Sequence, residues 1–207
     1  YLEDVYTRLP MIREQASLLE QLEQDPVARS ATPAWLTKRL QRAWPEQWES
    51  IIRGANQRPP LSLRVNLSRI SRQAYAERLT ALSMASRPVR DVPSALMLDQ
   101  AVDVQKLPGF DDGLVSVQDA GAQLAAPLLD LAPGQTVLDA CAAPGGKSGH
   151  ILESEQGVQL TALDVDQTRL QRVHENLGRL GFGPGVRVSC ADAGLSGGDW
   201  RETRYDR

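Results

Sequence analysis

The sequence predicts an α/β fold: a Rossmann-like, doubly wound parallel sheet over residues 114–207, preceded by a smaller, basic α+β module over residues 29–113. The first observation is that the hydrophobic pattern changes at Leu114, after which strand-like apolar runs alternate with helical patterns of roughly 10–15 residues. Such alternation is typical of parallel β-α-β units. The second observation is that two helices precede interleaved strands in the first part. Residues 1–28 are expected to end an upstream helical domain, and the sheet is expected to be incomplete.

Composition bounds the class of protein. Hydrophobic residues make up 42% and charged residues 24% of the 207 positions, which is ordinary for a soluble globular protein. No apolar run approaches the roughly 20 residues of a membrane helix, and no signal peptide opens the chain. The two cysteines are far apart and do not predict a disulfide framework. We therefore expect a cytoplasmic protein. Because the chain begins at Tyr1 and ends where another strand is due, it is expected to be an internal piece.

Charge is distributed unevenly along the chain. Residues 31–90 hold 11 basic and 3 acidic side chains, whereas residues 91–207 hold 9 basic and 17 acidic ones. Such asymmetry indicates a polyanionic partner for the middle segment. Two other interpretations stay open, namely a solvated basic face and a face that docks on the acidic part of the chain.

The basic module is predicted to begin with two short helices and then to alternate strands with a helix. Strand 61–68 alternates apolar with polar residues, so we expect it to be half-buried, with Arg64 and Asn66 on its polar face. Ser71 is predicted to be the N-cap of the next helix. In order, the predicted elements are an upstream helix at 11–23, helices 33–44 and 45–56, strand 61–68, helix 71–83 and strand 95–99.

The second part is predicted to contain four strands and three helices. Its last helix, 167–181, has apolar residues at the i, i+3/i+4, i+7 spacing and ends at Gly181. In order, the elements are strand 114–117, helix 118–131, strand 136–140, helix 146–154, strand 158–165, helix 167–181 and strand 186–192.

The loop "DACAAPGGKS" after the strand at 136–140 raises the question of its ligand, because ligands bind beyond the carboxyl ends of parallel strands. A P-loop needs a first glycine at position 141, where Cys141 stands, and Pro144 removes one N–H from a phosphate nest. A dinucleotide turn needs G-x-G-x-x-G, but the first glycines are absent. Neither ligand is favoured, although a nicotinamide cofactor is not excluded.

S-adenosylmethionine is the third candidate for this loop. Its ribose hydroxyls and its adenine amino group suit carboxylates, and its methionine half carries no phosphate. Three acids, Asp139, Asp164 and Asp192, stand at the ends of successive strands. A single Asp there would indicate only a turn, but three around a Gly-Gly-Lys loop favour this cofactor.

The segments "VLDACAAPGGKSGHILE", "ALDVDQTRLQRVHENLGRLG" and "SVQDAGAQLAAPLL" resemble the Nol–Nop–Sun RNA cytosine-5 methyltransferases. The resemblance implies a class I S-adenosylmethionine-dependent methyltransferase fold, small-subunit ribosomal RNA as the partner, and an upstream NusB-like RNA-binding domain ending within residues 1–28. The segment before Asp192 is longer than the family pattern. By resemblance, the cofactor-binding residues are Cys141, Ala142, Ala143, Pro144, Gly145, Gly146, Lys147, Asp164, Arg169 and Asp192.

The family's chemistry implies that a thiolate adds to cytosine C6, so that C5 can accept the methyl group. That cysteine, and a second one that helps release product, are expected beyond Arg207, and residues 1–207 alone are expected to be inactive. Instead, Cys141 is interpreted as a small residue of the loop that packs beside the cofactor, and Cys190 as a small buried residue of its strand. A non-catalytic RNA-binding module and a nicotinamide-dependent oxidoreductase remain alternatives.

The sequence also bears on metal, membrane and RNA binding. The two histidines are too isolated to indicate a metal site, and we expect a monomer that binds no membrane. The helical spacing of Trp35, Trp44 and Trp48 favours core packing over stacking on RNA bases. The predicted RNA-binding residues are Lys38, Arg39, Arg42, Arg64 and Asn66.

Overall fold

The computed structural model describes residues 24–57, 59–183, 185–195 and 197–207. It divides into two compact units, one ending at Pro59 and one beginning at Pro60. The helix predicted over residues 11–23, and with it most of the expected upstream domain, lies outside the described residues. Within the described part of the chain, no helix is long and apolar enough to cross a membrane.

The described part of the first unit is helical. Asp25 caps the first helix by accepting a hydrogen bond of 2.8 Å from the Val27 N–H. The two helices predicted at 33–44 and 45–56 are confirmed, although the second begins later because residues 45–47 form a turn. The helices are α1 (Pro26–Ser30), α2 (Ala34–Ala43) and α3 (Trp48–Ala55).

The tryptophans correct one expectation. Trp35 is 63% exposed and Trp44 is 51% exposed, so the prediction that they pack in a core is wrong. The half-buried residues of α2 are Leu36, Thr37 and Leu40, which lie on another face of the helix than Trp35. Helical spacing alone did not show which apolar residues would face the interior.

The second unit begins with a four-stranded antiparallel sheet. Its first strand in the chain lies between the third and the fourth, and its second strand lies at the edge beside the third. Ser71 is confirmed as an N-cap, since its side chain accepts a hydrogen bond of 3.1 Å from the Ala74 N–H. Tyr75 and Leu79 of the capped helix pack with Leu63 and Val65 in one hydrophobic core. The elements are β1 (Leu61–Val65), α4 (Arg72–Ala81), β2 (Ser86–Pro88), β3 (Ala95–Leu98) and β4 (Val115–Val117).

Two predictions for this sheet need correction. Strand β1 is not half-buried but buried from Ser62 to Val65 on both faces. Strand β4, which we predicted to open the parallel sheet, instead pairs antiparallel with β1, with Leu63 opposite Val117. The antiparallel module therefore extends past the predicted boundary at residue 113. The short strand β2, which includes Pro88, has no alternating pattern and was not predicted.

The predicted parallel sheet follows, and its three strands lie side by side in the order in which they occur along the chain. Its strands and helices are β5 (Thr136–Asp139), α6 (Gly146–Ser154), β6 (Gln159–Asp164), α7 (Gln167–Leu180) and β7 (Arg187–Cys190). The helix predicted at 118–131 is reduced to a 3-10 turn, Ala122–Leu124, and α5, Ala125–Leu128. One reason is that the Asp119 side chain accepts a hydrogen bond from the Gly121 N–H and closes a turn at the start of the predicted helix.

The chain end pairs with the free edge of β5. The Leu138 N–H donates to the Arg207 carbonyl at 2.9 Å, and the Asp206 N–H donates to the Thr136 carbonyl at 2.9 Å. Strand β5 therefore has β6 on one edge and residues 206–207 on the other. The strand order consequently reverses at β5.

Three arginines join the antiparallel and the parallel sheets within the second unit. Arg64 of β1 pairs with Glu153 of α6 at 2.8 Å, and Arg69 Nη2 donates to the Leu180 carbonyl at 2.8 Å. From the other side, Arg179 donates to the Val115 carbonyl at 3.0 Å. Part of the positive charge of the middle segment is therefore used inside the protein, as the docking interpretation proposed.

Candidate functional site

The loop of residues 140–147 connects β5 to α6 at the point where the strand order reverses. In open parallel sheets this is where ligands bind, because the connections on the two sides of the reversal leave a crevice at the carboxyl ends of the strands. The structure thus places the sequence-predicted loop at the expected edge of the sheet.

The loop is held by its own backbone against strand β6. The Ala142 N–H donates to the Leu163 carbonyl at 2.8 Å. The peptide bond between Ala143 and Pro144 is cis. Gly145 then adopts a φ of +99°, in the left-handed region. A Cβ at that position would lie 3.2 Å from the Cα of Val173, so the positive φ and the tight contact with α7 both favour glycine here.

Asp139, the last residue of β5, fixes both ends of this loop. Its Oδ1 accepts a hydrogen bond of 3.3 Å from the Cys141 N–H. Its Oδ2 accepts one of 2.7 Å from the hydroxyl of Ser148, which is fully buried in the first turns of α6. Asp139 is therefore an anchor of the loop in this structure.

Asp164, the last residue of β6, holds the middle of the loop. Its side chain is only 1% exposed. Oδ2 accepts a hydrogen bond of 3.0 Å from the Ala143 N–H, and Oδ1 accepts one of 3.1 Å from the Asp166 N–H. Burial opposes ionisation, but these N–H groups and Arg169 outweigh it, so the pKa of Asp164 lies below its usual value. Asp164 is therefore a buried, ionised carboxylate.

Helix α7 supports the loop with two further side chains. Arg169 Nη2 donates to the Ala143 carbonyl at 2.9 Å, and its Nη1 lies 3.6 Å from Asp164 Oδ1. Asn176 Nδ2 donates to the Pro144 carbonyl at 2.8 Å. We did not predict Asn176 from the sequence. Its position seven residues after Arg169, two helical turns along the same face, is the signal that could have identified it.

Asp192 lies at the same edge of the sheet but in a different environment. It follows β7 by two residues, and β7 pairs parallel with β6 so that Cys190 is opposite Asp164. Its side chain is exposed, and its Oδ1 accepts a hydrogen bond of 2.8 Å from the Gly194 N–H in its own turn. Asp164 thus contacts the loop directly, whereas Asp192 faces solvent beside it.

One of the two cysteines differs from its expected environment. Both Cys141 and Cys190 are exposed free thiols. Cys141 stands on the loop itself, and Cys190 ends β7, where its Sγ lies 3.5 Å from the Val165 carbonyl. The buried interpretation is therefore wrong for Cys190, because the end of an outer strand provides no apolar cover. The place of Cys141 beside the cofactor stays a prediction.

Lys147 is also exposed, in the first turn of α6. Of the remaining loop residues, Ala142 and Ala143 are buried. Among the residues that the structure describes, no group of three or more His, Cys, Asp or Glu side chains could hold a metal ion.

Arg64 and Asn66, which we predicted to face RNA, lie in the interior. Arg64 is 1% exposed and donates to Glu153, to the Gln118 side chain and to the Gly146 carbonyl of the candidate site. Asn66 is also 1% exposed and donates to the Gly113 carbonyl at 3.1 Å. The RNA-binding prediction for these two residues must be corrected, because α6 covers the face of β1 that carries Arg64.

The other three predicted RNA-binding residues, Lys38, Arg39 and Arg42, are exposed on α2. They belong to the first unit, whereas the loop belongs to the second.

Models of two protein families match the chain. Residues 32–105 match a family described as Methyltr_RsmF/B-like, ferredoxin-like domain. Residues 126–207 match a family described as 16S rRNA methyltransferase RsmB/F. The first match spans both helical and antiparallel segments, and the second covers the parallel sheet with its loop.

Curated relatives resemble the chain over most of its length. The ribosomal RNA small subunit methyltransferase B of Pseudomonas putida is 50% identical over 169 residues, which are 81% of this chain and 39% of the relative. The protein of the same name from Pseudomonas syringae pv. tomato is 47% identical over 192 residues, which are 92% of this chain and 41% of the relative. The chain therefore spans less than half the length of these relatives.

Among solved structures, a methyltransferase homolog protein from Pyrococcus horikoshii is similar, with a TM-score of 0.67 and 27% identity. The alignment covers 81% of this chain and 55% of that one. The predicted fold class is thus confirmed: a small α+β module precedes part of a Rossmann-like methyltransferase sheet.

Proposed function

We propose, from the premise that the chain belongs to the RsmB/F methyltransferase family, that it forms part of an enzyme that methylates small-subunit ribosomal RNA with S-adenosylmethionine. One observation carries the proposal. A buried, ionised carboxylate, Asp164, holds the Ala143 N–H of a small-residue loop at the point where the strand order reverses. This combination favours a cationic nucleoside over a phosphate ligand.

The residues present fit this cofactor. Gly145 lets the loop approach α7 closely, because a Cβ there would lie only 3.2 Å from the Val173 Cα. Pro144 contributes no N–H, and the carboxylates of Asp139 and Asp164 occupy the N–H groups of Cys141 and Ala143. A phosphate nest would need those donors free. The ammonium and carboxylate of a methionine moiety do not require a full nest.

Each residue then has a distinct task in the proposal. The loop from Cys141 to Lys147 would contact the methionine part. Asp164, whose oxygens each retain acceptor capacity beside their backbone bonds, would accept the ribose hydroxyls when Arg169 moves aside. The exposed Asp192 would meet the adenine edge. When bound, the cofactor supplies a methyl group on a positively charged sulfur.

The finer part of the proposal concerns the chemistry on RNA. We propose that the acceptor is C5 of cytosine, and that a cysteine thiolate first adds to C6 because C5 alone is a poor nucleophile. The target base must be unpaired or flipped to be reached. Neither Cys141 nor Cys190 is assigned as this nucleophile. The tasks of the described residues are to bind and orient the cofactor.

Calorimetry tests the cofactor assignment. Titration of the protein with S-adenosylhomocysteine should show binding that NADH does not, and the Asp164→Asn variant should bind at least about tenfold more weakly, as expected for a lost charge-assisted hydrogen bond. Preference for NADH would instead favour an oxidoreductase.

The acceptor is tested separately. Bisulfite mapping of small-subunit ribosomal RNA, from cells with and without the intact gene, should reveal one or more cytosines that depend on the gene. Cofactor binding without any such cytosine would exclude methylation at C5 but not the family. RNA binding with neither cofactor binding nor methylation would leave a non-catalytic RNA-binding module.

A further inference from the structure

Helix α2 carries a stripe of three cations and one aromatic residue. At 100° per residue, Trp35, Lys38, Arg39 and Arg42 fall within an arc of about 100° on the helix surface. We call these four residues the α2 stripe. All four are exposed, and Trp35 is 63% exposed.

The stripe is not the packing face of its helix. Leu36, Thr37 and Leu40 are half-buried, and they lie roughly 60–160° around the helix from the four stripe residues. A single exposed apolar side chain needs no explanation. A tryptophan with three cations on its own face, on a helix that has no acidic residue, is a different case. Such a face combines an attraction for anions with a flat apolar surface.

We propose that the α2 stripe binds an unpaired segment of RNA, with a base stacked on Trp35 and the phosphates beside it paired with Lys38, Arg39 and Arg42. Two features favour this partner. The three cations are complementary to a phosphate backbone, and an indole offers a stacking surface that only an unpaired base can use. An A-form duplex presents no free base face, and an acidic protein segment would use the cations but not the ring.

This proposal rests on the proposed function, since it takes RNA to be the substrate. The proposal goes beyond that function because it assigns to the first unit a contact with single-stranded RNA that does not involve the cofactor loop.

The experiment compares two labelled probes by fluorescence anisotropy on the intact protein: an oligoadenylate of about 12 nucleotides and an abasic oligomer of the same length, within the usual site sizes for single strands. Trp35→Ala should weaken oligoadenylate binding by about 5- to 100-fold, the range expected for a lost stacked base. It should leave abasic binding unchanged, and Trp35→Phe should retain most of the affinity.

Trp44→Ala is the matched control. Trp44 is 51% exposed just after the end of α2, on the side opposite the stripe, so its substitution should change the affinity for neither probe.

The contribution of the three cations is tested by the salt dependence of binding. Lys38→Gln and Arg42→Gln should each weaken both probes and reduce the slope of log K against log salt by about 0.7. Arg53→Gln on α3 should leave that slope unchanged.

Two results would overturn the proposal. The first is an oligoadenylate affinity that Trp35→Ala leaves unaltered, even if the same face then proves to bind a protein. The second is that Trp35→Ala weakens binding of the oligoadenylate and of the abasic probe equally, which would show that no base stacks on Trp35.

Calorimetry with S-adenosylhomocysteine on the same variants distinguishes a failure of this proposal from a failure of the proposed function. All of these variants should bind S-adenosylhomocysteine with the affinity of the unsubstituted protein. If neither the variants nor the unsubstituted protein bound it, the proposed function would be contradicted, but the RNA contact of the α2 stripe would not.

Discussion

Arg64 and Glu153 form a bidentate ion pair in the interior of the second unit. Arg64 Nε lies 2.9 Å from Glu153 Oε2, and Nη2 lies 2.8 Å from Oε1. The two side chains are 0% and 4% exposed. Because Arg64 Nη1 also donates to the Gly146 carbonyl, strand β1 of the antiparallel sheet holds the first residue of the helix that follows the candidate cofactor loop.

Breaking this pair on one side should be severely destabilising. Arg64→Met leaves the Glu153 carboxylate buried without its partner, and we expect the free energy of unfolding to fall by about 3–5 kcal/mol. The double variant Arg64→Met/Glu153→Leu removes both charges and should recover part of that loss. Urea denaturation of the four proteins of this double-mutant cycle measures the coupling. A double variant as unstable as the sum of the single ones would show that the pair itself contributes nothing.

Acidification should destabilise the fold through His150. Burial, and to a smaller extent the charge of Arg64, lowers the pKa of His150 to about 4, whereas an unfolded histidine titrates near 6.5. Between these values the unfolded state binds more protons, so His150 makes the free energy of unfolding fall as the pH drops from about 6.5 towards 4, and contributes little pH dependence above that window. The expected loss between pH 7 and pH 5 is about 2 kcal/mol.

The matched control is the other histidine. His174 is exposed on α7, so His174→Gln should keep the full pH dependence, whereas His150→Gln should flatten it over this window. Urea denaturation at pH 7 and pH 5 gives the comparison. Similar pH dependence in both variants would assign the acid sensitivity to other groups.

Gly145→Ala should impair the loop more than an equivalent change elsewhere. Both Gly145 and Gly134 have positive φ, +99° and +84°, so alanine at either position costs about 1–2 kcal/mol of backbone strain. Only at position 145 would the Cβ also meet backbone, since nothing lies within 4 Å at Gly134. We expect Gly145→Ala to lose further stability and its affinity for S-adenosylhomocysteine. Denaturation and calorimetry measure the two effects, and equal behaviour of the two variants would contradict the crowding argument.

Asp164 and Asp192 should respond differently to the same substitution. Asp164→Asn removes a buried charge that holds two backbone N–H groups, so it should lower the free energy of unfolding by about 1.5–3 kcal/mol as well as weaken cofactor binding. Asp192 is exposed, so Asp192→Asn should weaken binding and leave stability within about 0.5 kcal/mol. Unfolding curves alongside calorimetry test this. Loss of stability without loss of affinity at Asp164 would make it a purely structural residue.

Local patterns were sufficient for the elements that shape the loop. Helix α6 has the bounds predicted for it, and α7 is terminated at the predicted residue, Gly181, which adopts a left-handed conformation. Apolar periodicity and glycine conformations are properties of short segments, so they can be read without knowing the partners. The parallel direction of the three strands followed from the alternation of strand and helix segments.

The failures concern partners that are distant in the sequence. Alternation in β1 assumed one solvated face, but α6, about 80–90 residues further along the chain, covers it and pairs Arg64 with Glu153. Nothing within three residues of β4 shows that it will pair with β1 rather than β5. The position of Asp164 at a strand tip was predictable, whereas its capture by the Ala143 N–H depends on the tertiary path of the loop.

The three bridging arginines have a consequence for how the second unit opens. Arg64, Arg69 and Arg179 each connect one sheet with an element of the other, so neither sheet can melt without leaving buried guanidinium groups or carbonyls unsatisfied. Residues 60–207 should therefore behave as a single foldon. In native-state hydrogen exchange, amides of β1 and of α6 should become accessible in the same cooperative event.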